Sequence, residues 1–108
     1  MKSGPDPDNI LLLSLEAEDD IRDILQYTLE TYGEQQLLVY QEKLDQALAT
    51  VLNNPGVGHK RPDLPPEYDA YPEGEHILIF RVKEKTIYVV RVLHGRMDFH
   101  RVFKSNIE

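Results

Sequence analysis

Two neighbouring runs of strand-forming residues constrain the fold more than any other feature of this chain. His76–Val82 (HILIFRV) and Ile87–Leu93 (IYVVRVL) are rich in β-branched and aromatic residues, and only Lys83–Thr86 (KEKT) separates them. The spacing predicts a β-hairpin with a tight turn at Glu84-Lys85. Because both faces of such a hairpin would be largely apolar, each face needs a cover.

The strict alternation of side chains along a strand predicts how the hairpin is arranged. With the turn at Glu84-Lys85, Leu78 lies opposite Arg91. One face then holds Ile77, Ile79, Val90 and Val92 with Arg81, and the other holds Leu78, Phe80, Val89 and Leu93 with His76 and Arg91. We expect a pair of helices to cover one face. For the second face two covers are open, a partner protein or the chain's own irregular segment 57–74, and we favour the partner.

The first half of the chain has the pattern of a helical hairpin. Ser14 is a good helix cap, and apolar residues then recur every three or four positions until Gly33, which favours a helix end. A second periodic segment runs from about Glu34 to Leu52, and the sequence Asn-Asn-Pro-Gly at residues 53–56 ends it. With a short strand before the helices and an edge strand near Tyr68–Tyr71, the order is β-α-α-β-β-β. We therefore predict an α+β fold in which a helical hairpin packs on a small, mainly antiparallel sheet.

The length and composition indicate one small cytoplasmic domain. The 108 residues leave no room for a second domain, so we expect a flexible tail at residues 1–9 and one domain over residues 10–104. The absence of cysteine excludes disulfides and thiol chemistry. The longest apolar run, Ile10–Leu13, is too short for a membrane span, and the first residues do not resemble a secretory signal. We expect a cytoplasmic protein without a membrane partner.

Charge is distributed unevenly along the chain. The formal net charge is −7, but residues 1–54 carry −8 and residues 76–104 carry +5. A net negative charge repels polyanions at long range, which argues against direct nucleic-acid binding. The basic stretch is either a functional surface or a device that keeps a strand-rich region soluble.

The sequence contains no GxxxxGK[ST], GxGxxG, HExxH or GxSxG motif, and the histidine spacing does not fit a metal site. We therefore expect no metal and no cofactor. One short segment, His94-Gly95-Arg96-Met97-Asp98, brings an imidazole, a guanidinium and a carboxylate together after the last strand. These groups are suited to acid–base cleavage of a phosphodiester, or to a structural Arg–Asp pair that holds the strand end. Spacing alone favours the structural pair.

Several segments, taken in order, resemble the RelE/ParE toxin superfamily, and within it the ParE-like (plasmid stabilisation system) branch. They are Tyr27-Thr28, Tyr32–Gln36, Asn54-Pro55 with Gly58 and Arg61, His76–Arg81 and Arg91–Asp98. The resemblance covers about Leu11 to Phe103 and implies the same β-α-α-β-β-β order. It also implies the toxin of a type II toxin–antitoxin system, which inhibits DNA gyrase by binding and is neutralised by a cognate ParD-like antitoxin.

The resemblance leaves two alternative functions open. The first is a RelE-like, ribosome-dependent mRNA endonuclease, in which His76, His94 and Arg96 would be the catalytic residues. Against it, Glu67 and Asp69 stand where that branch has lysines, and Val102-Phe103 lie near its late tyrosine. The second is a non-toxic, antitoxin-binding relic, because Asp69 also stands where the ParE branch commonly has an arginine.

The preferred interpretation is therefore a binding inhibitor without catalytic residues of its own. The candidate target-binding residues are Arg81, Arg91, His94, Arg96 and Arg101. The candidate antitoxin-binding residues are Leu78, Phe80 and Val89, with the apolar seam beside the helices as the alternative surface.

Overall fold

The computed structural model describes residues 8–104. In chain order the elements are β1 (Ile10–Leu13), α1 (Leu15–Tyr32), α2 (Glu34–Asn53), a 3-10 turn (Pro55–Val57), β2 (Asp69–Glu73), β3 (His76–Lys83), β4 (Thr86–His94) and α3 (Phe99–Lys104). The predicted α+β order is confirmed, and α3 is an addition that the sequence did not predict. The predicted flexible tail lies mostly outside the described residues; within them, the side chain of Asn9 donates to the carbonyl of Leu52 at 3.2 Å.

Local chemistry explains where the helices begin and end. The Ser14 hydroxyl accepts from the backbone N–H of Ala17 at 2.9 Å, which is the predicted cap of α1. Gly33 has φ +94°, a conformation that side chains disfavour, and it alone separates α1 from α2. The residue therefore allows the two helices to fold back on each other.

The four strands form one mixed sheet in the order β1-β4-β3-β2. β1 is parallel to β4, and the other pairs are antiparallel. The hairpin turns at Glu84-Lys85, as predicted, with Lys83 opposite Thr86. A β-bulge then follows, since Phe80 lies opposite Val89 whereas Ile79 lies opposite Arg91, which leaves Val90 as the extra residue.

The bulge corrects the predicted register of the second half of the hairpin. Leu78 lies opposite Val92 rather than Arg91. Beyond the bulge the side chains of β4 exchange faces, so Val92 packs on the helix side with Leu78 and Phe80, and Leu93 packs on the other side with Ile79. The prediction placed both residues on the opposite faces, because strict alternation ignores an inserted residue.

Two apolar clusters occupy the two faces of the sheet. The larger cluster lies between the sheet and the helical hairpin, where Leu44, Ala47 and Val51 of α2 pack against the sheet. In the smaller cluster, Leu64, Tyr68, Phe99 and Phe103 pack on the second face. The preferred prediction of a partner over this face is therefore wrong for most of its area, because segment 57–74 and α3 cover it.

Candidate functional site

The three side chains predicted to bind the antitoxin lie inside the protein. Leu78 and Phe80 are fully buried and Val89 is 1% exposed, all in the core between sheet and helices. The helical hairpin of the chain itself covers the face that was assigned to the antitoxin. These residues are thus core residues, and the prediction that a partner contacts them is corrected.

Arg91, one of the predicted target-binding residues, is engaged within the fold. Its guanidinium donates two hydrogen bonds to the Asp20 carboxylate, from Nε at 2.8 Å and from Nη2 at 3.0 Å. The same carboxylate accepts from the backbone N–H of Val92 at 2.9 Å. These hydrogen bonds raise the pKa of Arg91 above its usual value. Arg91 therefore joins α1 to β4, and its guanidinium is not free to contact a target.

The remaining predicted arginines lie near opposite ends of the sheet. Arg81 lies opposite Tyr88 close to the β3–β4 turn, whereas Arg96 follows the other end of β4. The six steps from Tyr88 to His94, the last residue of β4, span about 20 Å at the usual rise per residue of a strand. The predicted cations therefore do not form one basic surface.

Arg96 belongs to a small basic end of the molecule, which we define as Arg96, His100, Arg101 and Lys104. All four residues are exposed. The backbone N–H of Arg101 donates to the Asp98 carboxylate at 3.2 Å, so Asp98 stabilises the start of α3. Arg61 anchors this end, because its guanidinium lies 4.6 Å from the centre of the buried Phe99 ring and pairs with Asp63 at 2.7 Å.

Two histidines that are 18 positions apart in the sequence meet across the strand pair. His76 lies opposite His94, and their ring centres are 5.4 Å apart. On the far side of His76, its Nδ1 is 2.9 Å from the hydroxyl of Tyr40. Nδ1 of His94 accepts from the backbone N–H of Arg96 at 3.1 Å, which leaves the His94 proton on Nε2, 3.4 Å from the Glu75 carboxylate.

This histidine pair lies at one end of an open groove, which we call the aromatic groove. It has a volume of about 660 Å³ and lies between the helical hairpin and the β2–β3 turn. Its walls are formed by Asp23, Ile24, Tyr27, Thr28, Tyr32, Gln36, Tyr40, Lys43, Glu73, Gly74, Glu75, His76 and His94.

Two rings of the groove, Tyr40 and His76, have shifted pKa values, and both shifts favour the neutral ring. Partial burial, and then the charges of Glu73 and Glu75, raise the pKa of Tyr40 to about 12. Partial burial, followed by the nearby His94, lowers the pKa of His76 below its usual value. A neutral His76 is suited to accept the Tyr40 hydroxyl hydrogen, but it supplies no positive charge to a phosphate.

Of the three residues proposed for a ribonuclease site, the structure brings His76 and His94 into contact and places Arg96 beside them through its backbone. Sequence reasoning missed the part that Tyr40, Glu73 and Glu75 play here. The sequence places Tyr40 within the second predicted helix, and no sequence signal places it beside a histidine 36 positions away. Among residues 8–104 there is no group of three or more histidine or acidic side chains arranged to hold a metal ion.

Large apolar side chains outside the groove are also exposed, and two groups of them lie close together in the fold. Ile10, Leu12 and Tyr88 lie at the β1 edge of the sheet and are 54%, 48% and 38% exposed. Leu38 and Val39 are exposed in the first turns of α2. No helix in the part of the chain that the structure describes is both long and apolar enough to cross a membrane.

Comparison with known proteins gives one consistent result. The sequence profile of the family described as "ParE toxin of type II toxin-antitoxin system, parDE" matches residues 11–99. Toxin ParE1 of Mycobacterium tuberculosis is 37% identical over 91 residues, which are 83% of this chain and 93% of that protein. Toxin ParE1 of Caulobacter vibrioides is 29% identical over 86 residues, covering 80% of this chain and 88% of that protein.

A solved structure has the same fold. The structure titled "Chromosomal ParDE TA system from P. aeruginosa" superimposes with a TM-score of 0.70 at 19% identity, covering 80% of this chain and 95% of the other. Together with the profile match over most of the chain, these similarities confirm the resemblance derived from the sequence. The chain belongs to the ParE toxin family and is the toxin of a type II toxin–antitoxin system.

Proposed function

We propose that this toxin acts in the cytoplasm by binding and inhibiting DNA gyrase, and that a cognate ParD-like antitoxin neutralises it. The observation that carries this proposal is the family match over residues 11–99, combined with exposed arginines that have no structural task. Among the described residues, the side chains of Arg96 and Arg101 form no ion pair, unlike Arg22, Arg61 and Arg91. Arg81 also forms no ion pair among the described residues, but it is half-buried and lies apart, near the β3–β4 turn. The basic end is therefore the best-supported gyrase surface, ahead of Arg81 and His94.

The antitoxin is expected to cover exposed apolar side chains rather than the buried ones first assigned to it. The β1 edge offers Ile10 and Leu12, and β1 has no neighbouring strand on its outer side among residues 8–104. Exposed apolar surface at an unpaired strand edge is a common place for another chain to bind. An antitoxin on this edge would exclude water from both the side chains and the backbone.

The proposed function is tested by expressing the toxin without its antitoxin and following DNA and protein synthesis by pulse labelling. Early loss of DNA synthesis with continuing translation is the expected result. The purified toxin should also inhibit supercoiling by gyrase. Early loss of translation, or full supercoiling in the presence of excess toxin, would reject gyrase as the target.

The basic end is tested with Arg96→Ala and a matched control, Arg22→Ala. Both arginines are exposed, and Arg22 forms only a surface ion pair with Asp19. Because one cation at a charged interface commonly contributes about tenfold in affinity, Arg96→Ala should weaken gyrase inhibition by about tenfold at an unchanged melting temperature. The control should keep wild-type potency. Equal potency of the two variants would rule out Arg96 as a target contact.

One observation favours a second candidate, the mRNA endonuclease, because His76 and His94 share one groove with Tyr40. The charge of the groove opposes it, since Asp23, Glu73 and Glu75 line the same walls and repel phosphate. If the endonuclease function holds, replacing both histidines by alanine abolishes mRNA cleavage and growth arrest.

The third candidate is a protein that binds an antitoxin but is not toxic, and it was raised because Asp69 stands where the ParE branch commonly has an arginine. This residue is part of the fold, because its carboxylate pairs with Lys60 at 3.2 Å and is 23% exposed. Normal growth with well-expressed, folded toxin would favour the relic.

A further inference from the structure

The aromatic groove combines ring surfaces with carboxylates. Tyr27 and Tyr32, at its outer end, are 61% and 65% exposed, and their rings are in edge-on contact at 6.4 Å. Tyr40 and the two histidines continue the series of rings inward, with a centre-to-centre distance of 5.6 Å from Tyr40 to His76. Aromatic rings therefore line the groove along its length, and the groove is open to solvent.

The charged side chains on the walls of the groove are mostly acidic. Asp23 lies on the α1 side, and Glu73 and Glu75 lie on the β2–β3 turn, whereas Lys43 is the basic member of the lining. The two glutamates act on the interior of the groove, because their charge contributes to the raised pKa of Tyr40. With neutral histidines, the lining carries a formal charge of −2.

This combination selects a class of ligand by its chemistry. Exposed tyrosine rings bind guanidinium and ammonium groups over their faces, and nearby carboxylates strengthen that attraction. The aliphatic stems of arginine and lysine also pack well on rings. A phosphate backbone, in contrast, would meet three carboxylates and one lysine.

We propose that the aromatic groove is a docking site for a basic, arginine- or lysine-bearing segment of the cognate antitoxin. This inference rests on the proposed function, because it requires that an antitoxin exists. The antitoxin segment inserts a cationic side chain between the tyrosines of the hairpin and the carboxylates of the β2–β3 turn. The groove thereby adds a charge-selective contact to the apolar contact expected at the β1 edge.

The test compares two triple variants of the full chain for binding to the purified antitoxin encoded beside the toxin gene. The groove variant is Asp23→Asn, Glu73→Gln and Glu75→Gln. The matched control removes the same charge from exposed helix positions outside the groove, through three other changes: Glu18→Gln, Glu30→Gln and Asp45→Asn. Affinities are measured by isothermal titration calorimetry at low and at high salt, after circular dichroism has shown that both variants are folded.

The groove variant should lose about tenfold or more in affinity, and the control about twofold or less, because only contacting charges attract the ligand at short range. The difference should shrink at high salt. Equal losses for the two variants would overturn the docking site while leaving the antitoxin intact. If the wild-type chain fails to bind the antitoxin, the proposed function itself fails, and this inference with it.

A single-stranded RNA probe tests the other class of ligand. The docking proposal expects no measurable binding of a short RNA oligonucleotide to the wild-type chain. RNA binding that is lost in a His76→Ala/His94→Ala variant would overturn the proposal and assign the groove to a nucleic acid.

Discussion

Removing the Asp20 carboxylate should destabilise the protein more than any other single change in charge within α1. β1 ends at Leu13, opposite Val89, so the next residues of β4 have no strand beside them on that edge. The first turns of α1 take the place of the strand there. The Ser14 hydroxyl donates to the carbonyl of Val90 at 2.8 Å, and Asp20 accepts from the N–H of Val92 and from the Arg91 guanidinium.

The expected magnitude follows from the burial of these groups. The side chains of Asp20 and Arg91 are 14% and 24% exposed, so the pair is largely shielded from water. Removing one partner of a fully buried pair costs about 3–5 kcal/mol, and partial exposure lowers this figure. The Val92 N–H also loses its acceptor. We therefore expect Asp20→Ala to lower the free energy of unfolding by about 2–3 kcal/mol.

Urea-induced unfolding followed by circular dichroism measures this loss. Asp20→Asn keeps an acceptor for the Val92 N–H and loses only the charge, so it should cost about 1–2 kcal/mol. Asp19→Ala is the matched control, because its pair with Arg22 is 69% exposed on both sides and should contribute less than about 0.5 kcal/mol. The melting temperature of Asp20→Ala should fall by about 10 °C.

Two results would refute this reasoning. Asp20→Ala with a stability within about 0.5 kcal/mol of the wild type would mean that water replaces the carboxylate at little cost. An Arg91→Ala variant that keeps full stability but loses gyrase inhibition would return Arg91 to the target surface. We expect instead that Arg91→Ala lowers the free energy of unfolding, and that it lowers toxicity only through this loss of stability.

Two further predictions concern the packing and the titration of single residues. A Cβ atom on Gly58 would approach Cζ of the buried Phe80 ring to 2.5 Å, so Gly58→Ala should lower the stability by about 1–3 kcal/mol in urea unfolding. Gly56→Ala, whose Cβ would meet its nearest atom at 3.4 Å, should stay within about 0.5 kcal/mol of the wild type. In an alkaline titration by ultraviolet absorbance, Tyr40 should ionise near pH 12, and Tyr40→Phe should remove this late transition. The folded state binds the Tyr40 proton more tightly than the unfolded state does, and this difference adds to the free energy of unfolding below pH 10. The contribution is lost between pH 10 and 12. A free energy of unfolding that stays constant across that range would contradict this prediction.

The helices and strands were predictable because their signals are local. Ser14 caps α1 through a residue three positions away, and Gly33 ends it through its own backbone. The tight turn at Glu84-Lys85 likewise depends on adjacent residues. The cover of the second sheet face was not predictable in this way. It depends on Phe99 and Phe103, which lie in a six-residue helix too short for a clear periodicity and make their contacts only in the folded chain.

The candidate site was harder to predict than the fold, because exposure and pairing decide which charged residues are available. Arg91 and Arg96 look equivalent in the sequence. In the folded chain Arg91 is held by Asp20, a residue 71 positions away, whereas Arg96 is exposed. Only long-range contacts distinguish a structural arginine from a free one, and a single sequence does not reveal them.

The β-bulge connects the fold to the groove. In a hairpin with strict alternation from the Glu84-Lys85 turn, His76 would lie opposite Leu93, and His94 would lie beyond it. The extra residue, Val90, shifts the pairing by one position, so that His76 lies opposite His94 and the two rings come within 5.4 Å. The same shift moves Val92 to the helix side, where its N–H reaches Asp20. One inserted residue thus sets both the inner end of the aromatic groove and the link that holds α1 on β4, so a deletion of Val90 should disturb groove binding and stability together.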